Sequence, residues 1–255
     1  MEAKEVKPEF VVIAIIVIIL VLAGLGVVNI PFLSQSKTIR VVVIGNDSNL
    51  YNVLSNSTFT LNHIYAFQIS SEGAEYSLKN FDVVILSGTP YCSLSLRQAL
   101  AAWVMNGGKL IVVGDACTLV QGDSKAIGWS IGINGLGTVM PVSYGGWNGT
   151  GTSYGDVNLS NAGFQIQDIQ SPIFGGGVPG TKNFQFSGSV TMITPGAKSN
   201  IIALIISSSG GVEYDGMVES QGMFQFGKVI YFSFDPLYSQ TLLYNTLLYI
   251  SGHNG

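Results

Sequence analysis

The chain has 255 residues, of which 47% are hydrophobic and only 10% charged, and its net charge is −4. Ordinary soluble domains carry roughly 25% charged residues, so the polar surface here must come from Ser, Thr, Asn, Gln and 32 glycines, and the mean hydropathy is high at +0.42. No basic run exists that could neutralise a phosphate backbone, which excludes nucleic acid as a partner, and two cysteines permit one disulfide.

Residues 1–9 are a short tail, followed by the unbroken apolar run Phe10 to Val28, FVVIAIIVIILVLAGLGVV. About 20 such residues cross a hydrocarbon core of roughly 30 Å. In lipid every backbone group must bond internally, so residues 10–29 are expected to form a transmembrane helix in direct contact with membrane lipid. Asn29 and Pro31 mark its end. Three other readings of this run stay open. A cleaved signal peptide usually has a shorter apolar core of about 7–15 residues and a small-residue cleavage site. A buried core helix would show a polar stripe, and none is visible. A pilin-like assembly helix would suit Glu9, but no processing site precedes it.

Lys4 and Lys7 on one side nearly balance Lys37 and Arg40 on the other, so flanking charge does not orient the helix. Four N-x-S/T sequons, at Asn46, Asn56, Asn148 and Asn158, combine with the low charge to favour an extracytoplasmic, glycosylated domain at the cell membrane. The tail then lies in the cytoplasm.

Residues 30–37 read as a linker and 38–255 as the extracytoplasmic domain. Ile39 to Ile44 (IRVVVI) is nearly continuous in β-branched residues, as expected for a central parallel strand buried on both faces. Ile64 to Ile69 is a second strand, and Phe81 to Leu86 a third, closed by Ser87-Gly88-Thr89-Pro90. Ser95 to Met105 follows as an amphipathic helix with Leu96, Leu100, Trp103 and Val104 on one side, capped by Ser93 or Ser95 and stopped at Asn106-Gly107-Gly108. Leu110 to Val113 is a fourth strand, ending at Gly114-Asp115. Recurrent strand–helix–strand order predicts a parallel, flavodoxin-like α/β sheet.

The stretch 121–190 is rich in Gly, Ser and Asn and reads as an insertion of short strands and loops. Strand character returns at 201–207 and 228–234, with a short strand at 216–218 between them. A closing helix over about 238–251 has Leu242, Leu243, Thr246, Leu247 and Ile250 as its buried face.

The runs FDVVILSGTP, NGGKLIVVGDAC and FGKVIYFSFDP with LLYNTLLYI resemble the class I glutamine amidotransferase-like fold, in particular its non-catalytic or uncharacterised membrane-anchored branches. The resemblance covers most of 38–255 and is weakest in the insertion. It implies a cysteine on a sharp turn after the strand equivalent to Leu110–Val113, in a G-x-C-x-G pattern, with a downstream His-x-Glu. Here the turn reads Gly114-Asp115-Ala116-Cys117-Thr118-Leu119, with the cysteine displaced by one position and the second glycine absent. The two histidines, His63 and His253, match neither family position. A thiol without a base is a poor nucleophile at neutral pH, so no catalytic residue is assigned.

Ligands of open parallel sheets bind at the carboxyl ends of the strands. The candidate rim there is Asp47, Thr89, Asp115 and Asp235, with Asn46 beside it. The competing structural reading is that Asp115 and Asp235 cap turns or helices. Cys92 and Cys117 follow strands expected to be neighbours, at one rim, which outside the cytosol favours a disulfide. Two free buried thiols are the alternative. Tyr144, Trp147 and Tyr154 on a glycine-rich loop either bind a partner or pin the loop. No zinc-spaced cluster, phosphate loop or dinucleotide fingerprint is present, so neither a metal nor a cofactor is expected.

The leading expectation is a non-enzymatic recognition or structural subunit with protein partners in a membrane or surface complex. A hydrolase acting on glycans or peptides, using Asp115, Asp235 and Cys117, and a ligand-binding accessory subunit of a transporter are its rivals.

Overall fold

A computed structural model of the chain describes residues 38–147, 152–174, 184–208, 211–221 and 227–253. Residues 10–29 and Asn148, expected as the membrane helix and one sequon, lie outside them. No helix among the described residues is long and apolar enough to cross a membrane. The chain divides after Lys37, and residues 38–255 form one compact unit.

That unit is built on a nine-stranded mixed sheet. Its parallel part consists of β1 (Ile39–Ile44), β2 (Ile64–Ile69), β3 (Val83–Leu86), β5 (Lys109–Val113) and β16 (Lys228–Phe232), in the order β2-β1-β3-β5-β16. Ile39, Val41 and Val43 of β1 point into one core and Val42 and Ile44 into the other. Burial of both faces is why the strand reads as an unbroken β-branched run. Helices α1 (Ser48–Leu54), α2 (Ser57–Thr60) and α4 (Gln240–Ser251) cover the first face, and α3 (Leu94–Met105) the second.

The α3 cap is Ser93, whose Oγ accepts from the Leu96 N–H at 3.1 Å. Its stop is Asn106-Gly107, with Gly107 at φ +101°. The α4 helix buries Leu242, Leu243, Thr246, Leu247 and Ile250, the residues its spacing marked. Both α1 and α2 are additions to the sequence reading. They are too short to show an apolar period, and they exist through their caps, Asp47 and Asn56.

The expected parallel, flavodoxin-like sheet is present in the five strands β2, β1, β3, β5 and β16, but the sheet as a whole is mixed. The other four strands, β15 (Glu213–Ser220), β14 (Ser199–Ile206), β11 (Asp156–Ile166) and β12 (Gln185–Thr191), continue the sheet from β16 antiparallel to one another. The stretch 121–190 is therefore only partly an insertion, since β11 and β12 belong to the main sheet. Likewise 216–218 is the middle of an eight-residue strand. A bulge between Leu159 and Ala162, with Asn161 at φ +50°, bends β11. At its end β12 reaches back towards β16, where the Thr191 N–H donates to the Ser233 carbonyl at 2.7 Å.

Phenylalanines fill this bend. The Phe164 and Phe184 rings stack at 4.6 Å, and Phe234 contacts both Phe164 and Phe186. The remaining segments form small ladders: β4 (Tyr91–Cys92), β6 (Leu119–Val120) and β7 (Asp123–Ile127) in one, β8 (Val142–Tyr144) with β13 (Ile193–Pro195) in another, and β9 (Gly146–Trp147) with β10 (Thr152–Ser153) in a third.

Candidate functional site

The carboxyl ends of β1, β3, β5 and β16 meet at one edge of the sheet. Gly45, at φ +124°, ends β1; a Cβ there would run into the Ser87 carbonyl, so only glycine lets the loops after β1 and β3 touch. Asp47 fastens the two loops. Its Oδ1 accepts from the Leu50 N–H at 3.0 Å, capping α1, and its Oδ2 accepts from the buried Ser87 hydroxyl at 2.6 Å. Asp235 opens the turn after β16, accepting from the Leu237 N–H at 2.9 Å, with Pro236 fixing the first helical position. The capping role expected of Asp235 is thus real, and Asp47 has one as well.

A cleft of about 320 Å³ opens between these loops and the end of β12. Asp47, Asp156 and Asp235 line it together with Ser189, Thr191 and Tyr238. Asp156 Oδ1 accepts from the Thr191 hydroxyl at 2.7 Å, and the Tyr238 hydroxyl donates to the Ser187 carbonyl at 2.6 Å. No lysine or arginine is among the lining residues, so the cleft carries a negative field. Burial pushes the Asp235 carboxyl above its ordinary range; the Leu237 N–H offsets part of this, and the Asp47 charge adds to it.

Asp115 sits next to this cleft and does not line it. Its carboxyl is raised by burial first and by the Asp156 charge second, against its own backbone N–H. Beneath it, the fully buried Tyr231 donates to the Gly114 carbonyl at 3.1 Å. Burial lifts the Tyr231 phenol well above its usual range, opposed by a Thr191 hydrogen bond. Tyr144 is raised for the same leading reason, then by Asp115 and Asp156.

Thr89 leaves the candidate rim. It is buried, its hydroxyl donates to the Tyr91 carbonyl at 3.0 Å, and its own carbonyl accepts from the Cys117 N–H at 2.8 Å. Its side chain closes on Gly45 and none of it reaches the cleft. Asp156, Ser189, Thr191 and Tyr238 were not foreseen. They come from β11, β12 and the turn after β16, and no local motif announces that these segments converge.

Cys92 and Cys117 form a disulfide, with their Cα atoms 5.0 Å apart. Cys117 occupies the left-handed region at φ +57° and is fully buried, and the Trp129 indole N–H donates to the neighbouring Ala116 carbonyl at 2.8 Å. The sharp turn expected after β5 is therefore present, but its sulfur is bonded and lies outside the cleft. His63 precedes β2, at the amino-terminal edge of the sheet, and His253 follows α4, its ring 2.9 Å from the Ser251 hydroxyl. Neither reaches the carboxyl edge. Among the described residues no group of three or more His, Cys, Asp or Glu is arranged to hold a metal ion.

Asn46 is exposed beside the cleft. Asn56 Oδ1 accepts from the N–H groups of Thr58 and Phe59, at 2.9 and 3.4 Å. Asn158 is exposed on β11, and its Oδ1 accepts from the Ser189 hydroxyl at 2.8 Å. Tyr144 packs edge-on against Trp129 at 5.8 Å and beside Tyr154 at 5.7 Å, which pins that part of the glycine-rich loop to the domain.

No protein-family model matches the chain, and no curated protein matches it in sequence. Solved structures do match in fold. A ThuA-like protein from Bacteroides uniformis aligns over 88% of this chain and 94% of its own, with a TM-score of 0.55 and 11% identity. A GMP synthase-like protein from Thermoplasma acidophilum aligns over 85% and 96%, with a TM-score of 0.50 and 10% identity. The β-galactosidase of Rahnella sp. R3 gives a TM-score of 0.55 at 10% identity, covering 83% of this chain but 31% of the enzyme. The chain thus spans about a third of that enzyme's length. The ThuA-like and GMP synthase-like proteins have class I glutamine amidotransferase-like folds, so this chain is similar to that class in fold; at such identities the likeness extends no further.

Proposed function

We propose that the chain is a single-pass membrane protein whose α/β domain lies outside the cytosol and works by recognition, within a membrane or surface complex. The observation that carries this reading is the fate of Cys117. Cys117, displaced by one position from where the family carries its nucleophile, has a sulfur that is bonded to Cys92 and buried, and neither histidine lies at the carboxyl edge. An acyl-transfer site needs a free thiolate and a base within hydrogen-bond reach. What remains open to solvent at the carboxyl edge is the acidic cleft, which suits a neutral or cationic polar ligand. The apolar run at 10–28 supplies the anchor, and the disulfide and sequons fit an oxidising compartment.

The test uses the full chain in membranes. Alkaline carbonate should leave it in the pellet, and protease added from outside should digest the domain. The detergent-purified protein should release no ammonia from glutamine. Extraction into water without detergent, or measurable glutamine hydrolysis, would overturn the reading.

A second reading, a surface glycan hydrolase, is favoured by Asp235, whose carboxyl is raised by burial as a general acid requires. It predicts turnover of an aryl glycoside that Asp235→Asn abolishes.

A further inference from the structure

The two lateral edges of the nine-stranded sheet are finished differently. The β12 edge is guarded: Thr191 bonds to Ser233, and Tyr238 reaches Ser187. Beyond the buried Ile64 at its start, the β2 edge lacks the charges, prolines and bulges that discourage pairing. Its six residues, IYAFQI, include no charge and no proline, and its register with β1 runs without a bulge from Ile39↔Ile64 to Ile44↔Ile69.

The direction of its backbone groups follows from that register. The Ile39 N–H donates to the His63 carbonyl and the Gly45 N–H to the Ile69 carbonyl. In a parallel ladder alternate residues face the neighbour, so Tyr65, Phe67 and Ile69 bond towards β1. Ile64, Ala66 and Gln68 turn their N–H and C=O groups outward. Ile64 is fully buried, whereas Ala66 and Gln68 are half-buried at the rim. Four outward backbone groups therefore lie on a solvent-facing edge. On the strand's second face Tyr65 and Phe67 are 43% and 46% exposed, a large apolar area for a strand of this length.

We propose that β2 pairs antiparallel with β2 of a second copy, about a twofold axis at Phe67. This register puts Ala66 opposite the partner's Gln68 and Gln68 opposite the partner's Ala66. Each is a hydrogen-bonded pair, so the four outward groups of each copy are satisfied by four bonds in total. Phe67 then faces the partner's Phe67 in a non-hydrogen-bonded pair, where side chains approach most closely. Tyr65 faces the partner's Ile69, so the exposed aromatic face is covered from both sides. Because the strand is uncharged, two identical copies meet without like-charge repulsion. The contact is small, however. Six residues per side is well short of the roughly 20–30 of a standard interface, which places the dimer in the weak, concentration-dependent class.

Cross-linking of the full chain in membranes tests the register. With Cys92 and Cys117 bridged, an introduced cysteine is the only free thiol. Phe67→Cys should form a disulfide-linked dimer under mild oxidation. Tyr65→Cys alone should not, because the two copies of residue 65 lie four positions apart, but mixed with Ile69→Cys it should. Phe67→Glu should reduce dimer captured by an amine-reactive cross-linker at least tenfold, with a single cooperative melting transition confirming the fold despite loss of the Phe67–Phe81 ring contact. Absence of the Phe67→Cys dimer in a variant that melts like the parent overturns the proposal. So does equal cross-linking of Phe67→Cys and Tyr65→Cys.

Discussion

The parallel and antiparallel halves of the sheet are held together in different ways. In the parallel half, β1, β3, β5 and β16 are short β-branched runs sandwiched between helices, and each strand's burial is set by its own residues. In the antiparallel half, strands such as β11 (DVNLSNAGFQI) alternate loosely and carry polar residues along much of their length. They are drawn together by phenylalanines from separate segments, among them Phe164, Phe184, Phe186 and Phe234. Local composition thus decides the first half, and contacts between distant segments decide the second.

The largest expected effect probes that aromatic cluster. Phe164→Ala should cost about 4 kcal/mol, read from urea unfolding. Phe164 and Ile111 belong to one continuous core beneath both halves, so the loss should come as a shift of a single transition. Two separated transitions would show that the antiparallel half folds on its own. In the parallel half, Ile111→Ala should cost about 3 kcal/mol and shift the same transition. Replacing both cysteines, Cys92→Ser with Cys117→Ser, should lower stability by about 3 kcal/mol, since the bridge closes a loop over a separation of 25 residues.

The smallest effect concerns charge at the boundary between the halves. Asp115 has its carboxyl raised by burial and by Asp156, so the folded state holds that proton more tightly than the unfolded chain. Its stabilising contribution is present below the ordinary aspartate pKa and is lost as pH rises through the raised folded value. Asp115→Asn should therefore be more stable than the parent at neutral pH, with the gap closing on acidification below about pH 4. A gap that widens on acidification would contradict the assigned cause.

The same contrast explains what could be read from the residues alone. The strands of the parallel half, the α3 cap at Ser93 and the buried face of α4 are written in local period and capping, so they were legible. Asp47 and Asp235, expected at the rim because they lie three residues past a strand end, line the cleft, whereas Asp115, two residues past β5, does not. Thr89 satisfied the same rule, yet its side chain turns inward to Tyr91 and Gly45, a choice made by packing. The assignment of β11 and β12 to the main sheet was not legible, because a bulged, polar strand looks like loop. With them were hidden Asp156, Ser189 and Thr191, and so one whole wall of the cleft.

In a fold similar to the glutamine amidotransferase-like class, Cys117 is held in a disulfide, and the proposed recognition role rests on the carboxyl edge of the sheet. The most direct test is to alkylate intact cells with a thiol reagent before lysis and map the protein by mass spectrometry. Unmodified Cys92 and Cys117 should be recovered as one cross-linked peptide pair. Alkylated Cys117 in the native protein would contradict the disulfide and the binding role inferred from it.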